Sequence, residues 1–302
     1  MFAGTLLGCL VAVHLLLIFA PGDAIDSLPN AEEVRPLLEA EWHLGQPAPI
    51  QVASYLGDVL TGDLRTSLVY RPGMPVADVI AGPTLRSLGV LFPALFLSIL
   101  GGVALGAWTG GRRLSLARPL VWSVAIVPVF LIARLTIAWT NAATWSLMQS
   151  GAISRPGWFA LPIEDHPLRW ALAVTILAVG SGALSEVHAE SESLFRRLRD
   201  AGYVQAARAR GAPVWPHILR NLIPPLTTMI SSRAAFFVGG LVILEKILLM
   251  NGIGAILWQS ALERDYPLAL GITLVTAAVV ASLRLVGDVV RTAIDPRRRE
   301  VA

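Results

Sequence analysis

The stretch from Ser87 to Trp108, SLGVLFPALFLSILGGVALGAW, is an apolar run long enough to cross a bilayer. A helix needs about 20 mostly apolar residues to span a hydrocarbon core of roughly 30 Å. Working outward, five more runs fit the pattern: Thr5 to Ala20, Leu120 to Trp139, Leu168 to Leu184, Leu226 to Leu249 and Leu268 to Val290. The first and fourth are short, as a signal peptide or a buried helix would be. A secretory signal wants a basic leading segment, and Met1-Phe2-Ala3-Gly4 has none. Leu6-Leu7-Gly8-Cys9 looks like a lipoprotein box, but its apolar stretch follows the cysteine, so Cys9 reads as an ordinary helix residue. The fold class expected is all-α: a polytopic membrane protein with six transmembrane helices.

Composition agrees. The 302 residues are 55% hydrophobic and 15% charged, against roughly 45–50% and about 25% in soluble domains. A single cysteine excludes a disulfide framework or a cysteine-rich metal site. His14 lies on an apolar run and His166 precedes Pro167; neither has a neighbour at metal-ligand spacing. Ser181 and Ser185 lack a matched base, which argues against a membrane hydrolase.

Lys and Arg near span ends mark the cytoplasmic side. With both termini on one side, the inner segments 109–119, 185–225 and 291–302 collect Arg112, Arg113, Arg118, Arg196, Arg197, Arg199, Arg208, Arg210, Arg220 and Arg297 among others. The largest outer segment carries Asp23, Asp26, Glu32, Glu33, Glu39, Glu41, Asp58, Asp63 and Asp78. Both termini are therefore expected in the cytoplasm. The organisation expected is a first span over 1–20, an external segment over 21–86, a five-helix core over 87–290 and a cytoplasmic tail over 291–302. Prolines and glycines such as Pro29, Pro47, Gly62 and Gly73 punctuate the external segment, which reads as short helices and turns. Trp139, Trp145, Trp158 and Trp170 fit an interfacial belt.

The inner segment 185–225 is too long to be a connector, since most helix–helix links run about 2–8 residues. Within it, Gln205-Ala206-Ala207-Arg208-Ala209-Arg210-Gly211 is a helix former ended by glycine, the residue favoured in left-handed geometry just past a helix end. Pro213 and Pro216 stop continuation. A second short helix from Trp215 to Leu222 then precedes Pro224-Pro225, which opens the next span. Such a knob can dock in a partner's groove, or lie on anionic headgroups through Arg208 and Arg210.

The pattern Glu-Ala-Ala, three residues, Gly, nine residues and Ile-x-Leu-Pro marks the cytoplasmic loop of ABC importer permeases. Gln205-Ala206-Ala207, Gly211 and Asn221-Leu222-Ile223-Pro224 resemble it, with Gln205 where the family has Glu. The run from Tyr203 to Gly211 resembles the B-type permeases of oligopeptide, dipeptide and nickel importers. Further likenesses are Pro21-Gly22-Asp23, Leu44-Gly45-Gln46-Pro47, Gly62-Asp63-Leu64 with Ser67-Leu68, Asn251-Gly252-Ile253-Gly254, Arg264-Asp265-Tyr266-Pro267 with Gly271, and Asp288 followed by Asp295-Pro296-Arg297. The resemblance implies the type I importer permease fold and a bacterial inner-membrane location. It also implies a second homologous permease, two cytoplasmic ATPase subunits and an external substrate-binding protein as partners, with membrane lipid around them and no nucleic acid. The chain would carry no cofactor and do no bond chemistry. No G-x-x-x-x-G-K-[ST] run occurs, so ATP and Mg are expected on the partner ATPase. The coupling residues it implies are Gln205, Ala206, Ala207, Arg208, Ala209, Arg210, Gly211 and Pro224. Arg208 and Arg210 would make polar contacts, the alanines would permit close packing, and Gly211 would supply the turn.

Intramembrane charges are costly and mark a cavity or a partner. Arg134, Arg233 and Glu245 are the candidates for a translocation path. Arg233 sits roughly 12 Å beyond Pro225 at 1.5 Å per residue, where snorkelling is hard. It either meets a substrate carboxylate or pairs with a group on the second permease. Gly101-Gly102 and Gly106 read as close helix packing. A secondary, ion-driven transporter is the alternative; it would need internal repeats with broken helices at matching positions, and no such pair is visible.

Overall fold

The computed structural model describes residues 2–19, 25, 28, 31–43, 45–110, 117–152, 167–199 and 201–294. Among these it is all-α: α1 Phe2–Ile18, α2 Ala31–Trp42, α3 Ala48–Thr61, α4 Val76–Gly110, α5 Ala117–Ala125, α6 Val129–Gln149, α7 Pro167–Gly180, α8 Ala183–Arg199, α9 Gly202–Ala209, α10 Trp215–Ile247, α11 Ile253–Glu263 and α12 Tyr266–Ile294. Trp158, His166 and Asp295-Pro296-Arg297 lie outside the described residues.

The apolar runs become helices, but not as six uniform spans. Among the described residues, two helices are long and apolar enough to cross a membrane unaided, Val76–Gly110 and Tyr266–Val290. Two bent pairs raise this to as many as four: Arg169–Gly180 with Ala183–Arg199, bent by 53°, and Asn221–Met229 with Arg233–Ile247, bent by 49°. The expected span Leu120 to Trp139 is divided, because α5 ends at Ala125 and α6 starts after Pro128, whose φ of −58° and ψ of 141° are extended. Proline has no N–H to give an incoming helix and pushes the preceding residue toward extended geometry. Conversely, Trp215–Leu222 is no separate helix. It is the start of α10, which runs through Pro224 and Pro225 and bends only past Met229. The Thr227 and Thr228 hydroxyls donate to the Pro224 carbonyl at 2.9 and 3.1 Å.

Contacts divide the chain into two units, Met1–Leu88 with Asn251–Ala281, and Gly89–Met250 with Ser282–Ala302. The first holds the short helices α2 and α3 expected of the external segment. Its core joins Val76, Val79 and Ile80 of α4 to Ile253, Ile256, Leu268 and Ile272. At its centre Asp265 is fully buried. Its Oδ2 accepts the Ser67 hydroxyl at 2.6 Å and the N–H groups of Leu68, Val69 and Tyr70 at 3.1, 3.1 and 3.0 Å. Two of the short motifs, Ser67-Leu68 and Arg264-Asp265-Tyr266-Pro267, are thus one structure.

The second unit is built on the α4–α8 contact. A Cβ added at Gly102, Gly106 or Gly110 would lie 2.6, 2.5 or 2.9 Å from the Cβ of Val187, Ser191 or Phe195. Glycines four apart share a helix face, and here they let two backbones touch. In lipid, where tails are as apolar as leucine, such close packing is a main source of helix association. The glycine reading of the sequence holds at Gly102 and Gly106, and Gly110 extends it. The Thr109 hydroxyl and His188 Nε2 add a buried contact of 3.0 Å between the same helices.

Candidate functional site

The acid-first, basic-last character of 185–199 is the polarity of one helix. α8 has Glu186 in its first turn and Arg196, Arg197 and Arg199 in its last, the arrangement a helix dipole favours. Within it Glu192 pairs with Arg196, and Glu190 with Arg197 at 3.7 Å.

Past α8, the first helix and the glycine break of the expected knob are present, while its second helix is the start of α10. α9 stops at Ala209, and Gly211 takes φ +70°. The Ala212 N–H reaches back to the Ala207 carbonyl at 2.9 Å and the Gly211 N–H to that of Arg208 at 3.0 Å, the pattern of a glycine-terminated helix. Val204 and Ala207, three residues apart, are 0% and 1% exposed. Gln205, Ala206, Arg208, Ala209, Arg210 and Gly211 face outward. The alanines are therefore not equivalent. Ala207 is spent on the chain's own packing, so the small surface it was expected to offer a partner reduces to Ala206 and Ala209. Arg210 turns back, its Nε donating to the Ala206 carbonyl at 3.2 Å.

The knob stands on a rigid base. Asn221 Nδ2 donates to the Tyr203 hydroxyl at 3.4 Å, tying α10 to α9. Beside it Leu222 and, about a turn on, Leu226 pack with Val187 and Phe195 of α8, and Ile99, Val103 and Ala107 of α4 close on the same cluster. Pro224 is half-buried between the two leucines.

Of the charges expected in the spans, Arg233 has an anion within this chain, Glu186. Its Nε donates to Glu186 Oε2 at 2.7 Å and its Nη2 pairs with Oε1. The guanidinium also lies 5.0 Å from the centre of the Phe236 ring. Glu186 gave no sign of this role in the sequence, since 47 residues separate the pair. Glu245 is fully buried near the end of α10. Arg134 is exposed on α6. Phe236 also lines an open cavity of about 410 Å³, together with Val129, Gly180, Ser181, Gly239 and Ile243.

Comparison with known proteins gives this architecture a family. Residues 94–300 match the family described as binding-protein-dependent transport system inner membrane component. A relative in Brucella ovis, named as a peptide permease protein, is 31% identical across 97% of this chain and 95% of its own length. The glutathione transport system permease protein of Salmonella typhimurium is 29% identical over 98% and 95%, and the oligopeptide transport system permease protein of Bacillus subtilis 24% over 97% and 94%. With the family matched over most of the chain and relatives aligned nearly end to end, the chain belongs to the inner-membrane components of binding-protein-dependent transport systems, the permease subunits of ABC importers.

Proposed function

We propose that this permease forms the translocation path for peptides or related small solutes together with a second, homologous permease. Two cytoplasmic ATPase subunits drive it, and an external binding protein supplies the solute. ATP and Mg act on the ATPases, and this chain catalyses no reaction. The peptide class rests on relatives named for peptides, glutathione and oligopeptides. The arginines of the inner segments support an orientation with both termini in the cytoplasm, the side from which an ATPase would reach α9.

The observation that carries the coupling role is the build of α9. A short helix shows one small and polar face to solvent, ends at Ala209 just before Gly211, and is joined by the Asn221–Tyr203 contact to α10, whose Leu222 and Leu226 pack on α4 and α8. A groove on an ATPase that accepts this face would move three helices at once. ATP can then favour one conformation only through its differential affinity for the two states.

The test is Ala206→Glu in the permease co-expressed with its ATPase and permease partners. The side chain points outward, so the variant should keep the wild-type melting temperature. It should lose the ATPase on purification, and peptide uptake should fall about tenfold or more, which corresponds to about 1.4 kcal/mol of lost docking. Full retention of the ATPase and of uptake would refute the assignment of α9.

A further inference from the structure

The Glu190–Arg197 and Glu192–Arg196 pairs lie within α8, whereas Glu186–Arg233 joins two helices. Both partners sit just past a bend. Glu186 is in the first turn of α8, after the 53° break from α7, and Arg233 is the first residue of the segment that follows the 49° bend in α10. Their side chains are 28% and 31% exposed, so the pair is neither sealed in a core nor fully solvated. The fork is two-pronged, one guanidinium edge against two carboxylate oxygens.

The surroundings are apolar. Leu95, Ile99, Val187, Met229 and Phe237 line the niche around the pair. On its other side Phe236, 63% exposed, carries the guanidinium over its ring and faces the open cavity. An arginine in such a place needs an anion, because an uncompensated charge there is strongly disfavoured. It does not need this particular anion. A guanidinium edge binds any carboxylate in the same bidentate way, so a solute carboxylate can replace Glu186, provided that the freed Glu186 carboxylate is hydrated or protonated, while the apolar part of the solute lies against Phe236, Val129 and Ile243.

We propose that Arg233 recognises a carboxylate of the transported solute, and that Glu186 is an internal surrogate that occupies it when no solute is present. Exchange of one carboxylate for the other unties α8 from α10 at their bends, so solute recognition and release of the two helices are one event. This rests on the reading of the chain as a permease for peptides, whose C-terminus supplies the carboxylate.

Two measurements on the assembled complex test it. In the first, Glu186→Ala lowers the melting temperature, and sodium acetate restores it where sodium chloride at equal ionic strength does not. The added rescue is lost in Glu186→Ala combined with Arg233→Gln. This arm needs no transported cargo and stands even if the solute is not a peptide. Acetate no better than chloride, or rescue that persists without Arg233, overturns the proposal. In the second, proteoliposomes are supplied with a tripeptide and with its C-terminal amide. Arg233→Gln lowers the ratio of free-acid uptake to amide uptake about tenfold. An equal loss for both, or restored uptake of the acid in the charge-swapped Glu186→Arg, Arg233→Glu double variant, makes the pair a structural tie and overturns the proposal. Wild-type uptake of neither compound, with acetate rescue intact, would refute the peptide reading alone.

Discussion

The Ser67 hydroxyl donates to Asp265 Oδ2 at 2.6 Å across 198 positions of sequence, and that one oxygen also receives three consecutive backbone N–H groups. Asp265 Oδ1 meanwhile accepts the Leu268 N–H at 3.3 Å, at the start of α12. One carboxylate therefore shapes the 67–70 turn and caps a helix.

Asp265→Asn should destabilise the protein by about 3 kcal/mol, because an amide can present only one oxygen and would turn its NH2 toward donors. Ser67→Ala removes the hydroxyl that donates to Asp265 and accepts the Arg71 N–H at 2.9 Å, but leaves the three N–H contacts of Asp265 in place, so about 2 kcal/mol is expected. Melting curves of the two variants in detergent should rank in that order. Equal effects would mean that the turn does not depend on the charge.

Gly57 of α3 and Gly106 of α4 should respond to alanine with opposite sign. A Cβ at Gly57, exposed in mid-helix, meets nothing within 4 Å, so Gly57→Ala gains up to about 1 kcal/mol of helix propensity. A Cβ at Gly106 would stand 2.5 Å from the Ser191 Cβ and 2.8 Å from the Glu192 backbone nitrogen. The α4–α8 contact must open to admit it, at a cost of about 1–3 kcal/mol. Thermal stability of the purified variants checks both signs at once.

Tyr55 offers a pH-dependent case in the external segment. Its ring packs 5.2 Å from that of His14 and lies under the Arg65 guanidinium at 5.3 Å. Its hydroxyl, though buried, has no hydrogen-bond partner among the described residues. Burial pushes the phenol up to about 12 from its ordinary 10, outweighing the opposing Arg65 charge. The folded value lies above the unfolded one, so the contribution to stability is complete below pH 10 and is lost as pH rises through about 12. Of the four tyrosines, this one should give a late step in a phenolate absorbance titration, and Tyr55→Phe should abolish it. The same variant should be neutral or stabilising by up to about 1 kcal/mol, because it removes a buried hydroxyl with nothing to bond.

These sites also mark where sequence reading reaches its limit. Runs of apolar residues announce membrane helices, but they look alike whether a helix continues or breaks. The bends after Gly180 and Met229 therefore left no periodic trace, and Pro128, although visible, sits inside a run that hydropathy alone would count as one span. The orientation of α9 was written in Val204, three positions before Ala207, yet the repeated alanines at 206, 207 and 209 concealed which of them faces inward. The Gly102–Gly106 face could be read because its period is local. The Glu186–Arg233 and Ser67–Asp265 contacts could not, since each depends on a meeting of distant segments that charge and spacing do not encode.

Gly211 gives the sharpest separation of conformational from steric cost. Its φ of +70° lies in the left-handed region, and a Cβ built there meets nothing within 4 Å. Any penalty for substitution is therefore one of backbone geometry alone, roughly 1–2 kcal/mol for an ordinary L-residue and less for Asn. Stability of the isolated permease should fall only slightly, because the Leu222 cluster is untouched. The two return bonds from Gly211 and Ala212 fix how α9 leaves into the 212–214 turn, so a residue that refuses positive φ should redirect the whole knob. Retention of the ATPase on purification and peptide uptake should then decline in the order Gly, Asn, Ala, Val. Pro should be worst, since its φ is locked near −65°. A series that follows side-chain volume instead, with Asn no better than Val, would place the effect in the ATPase groove rather than in the turn.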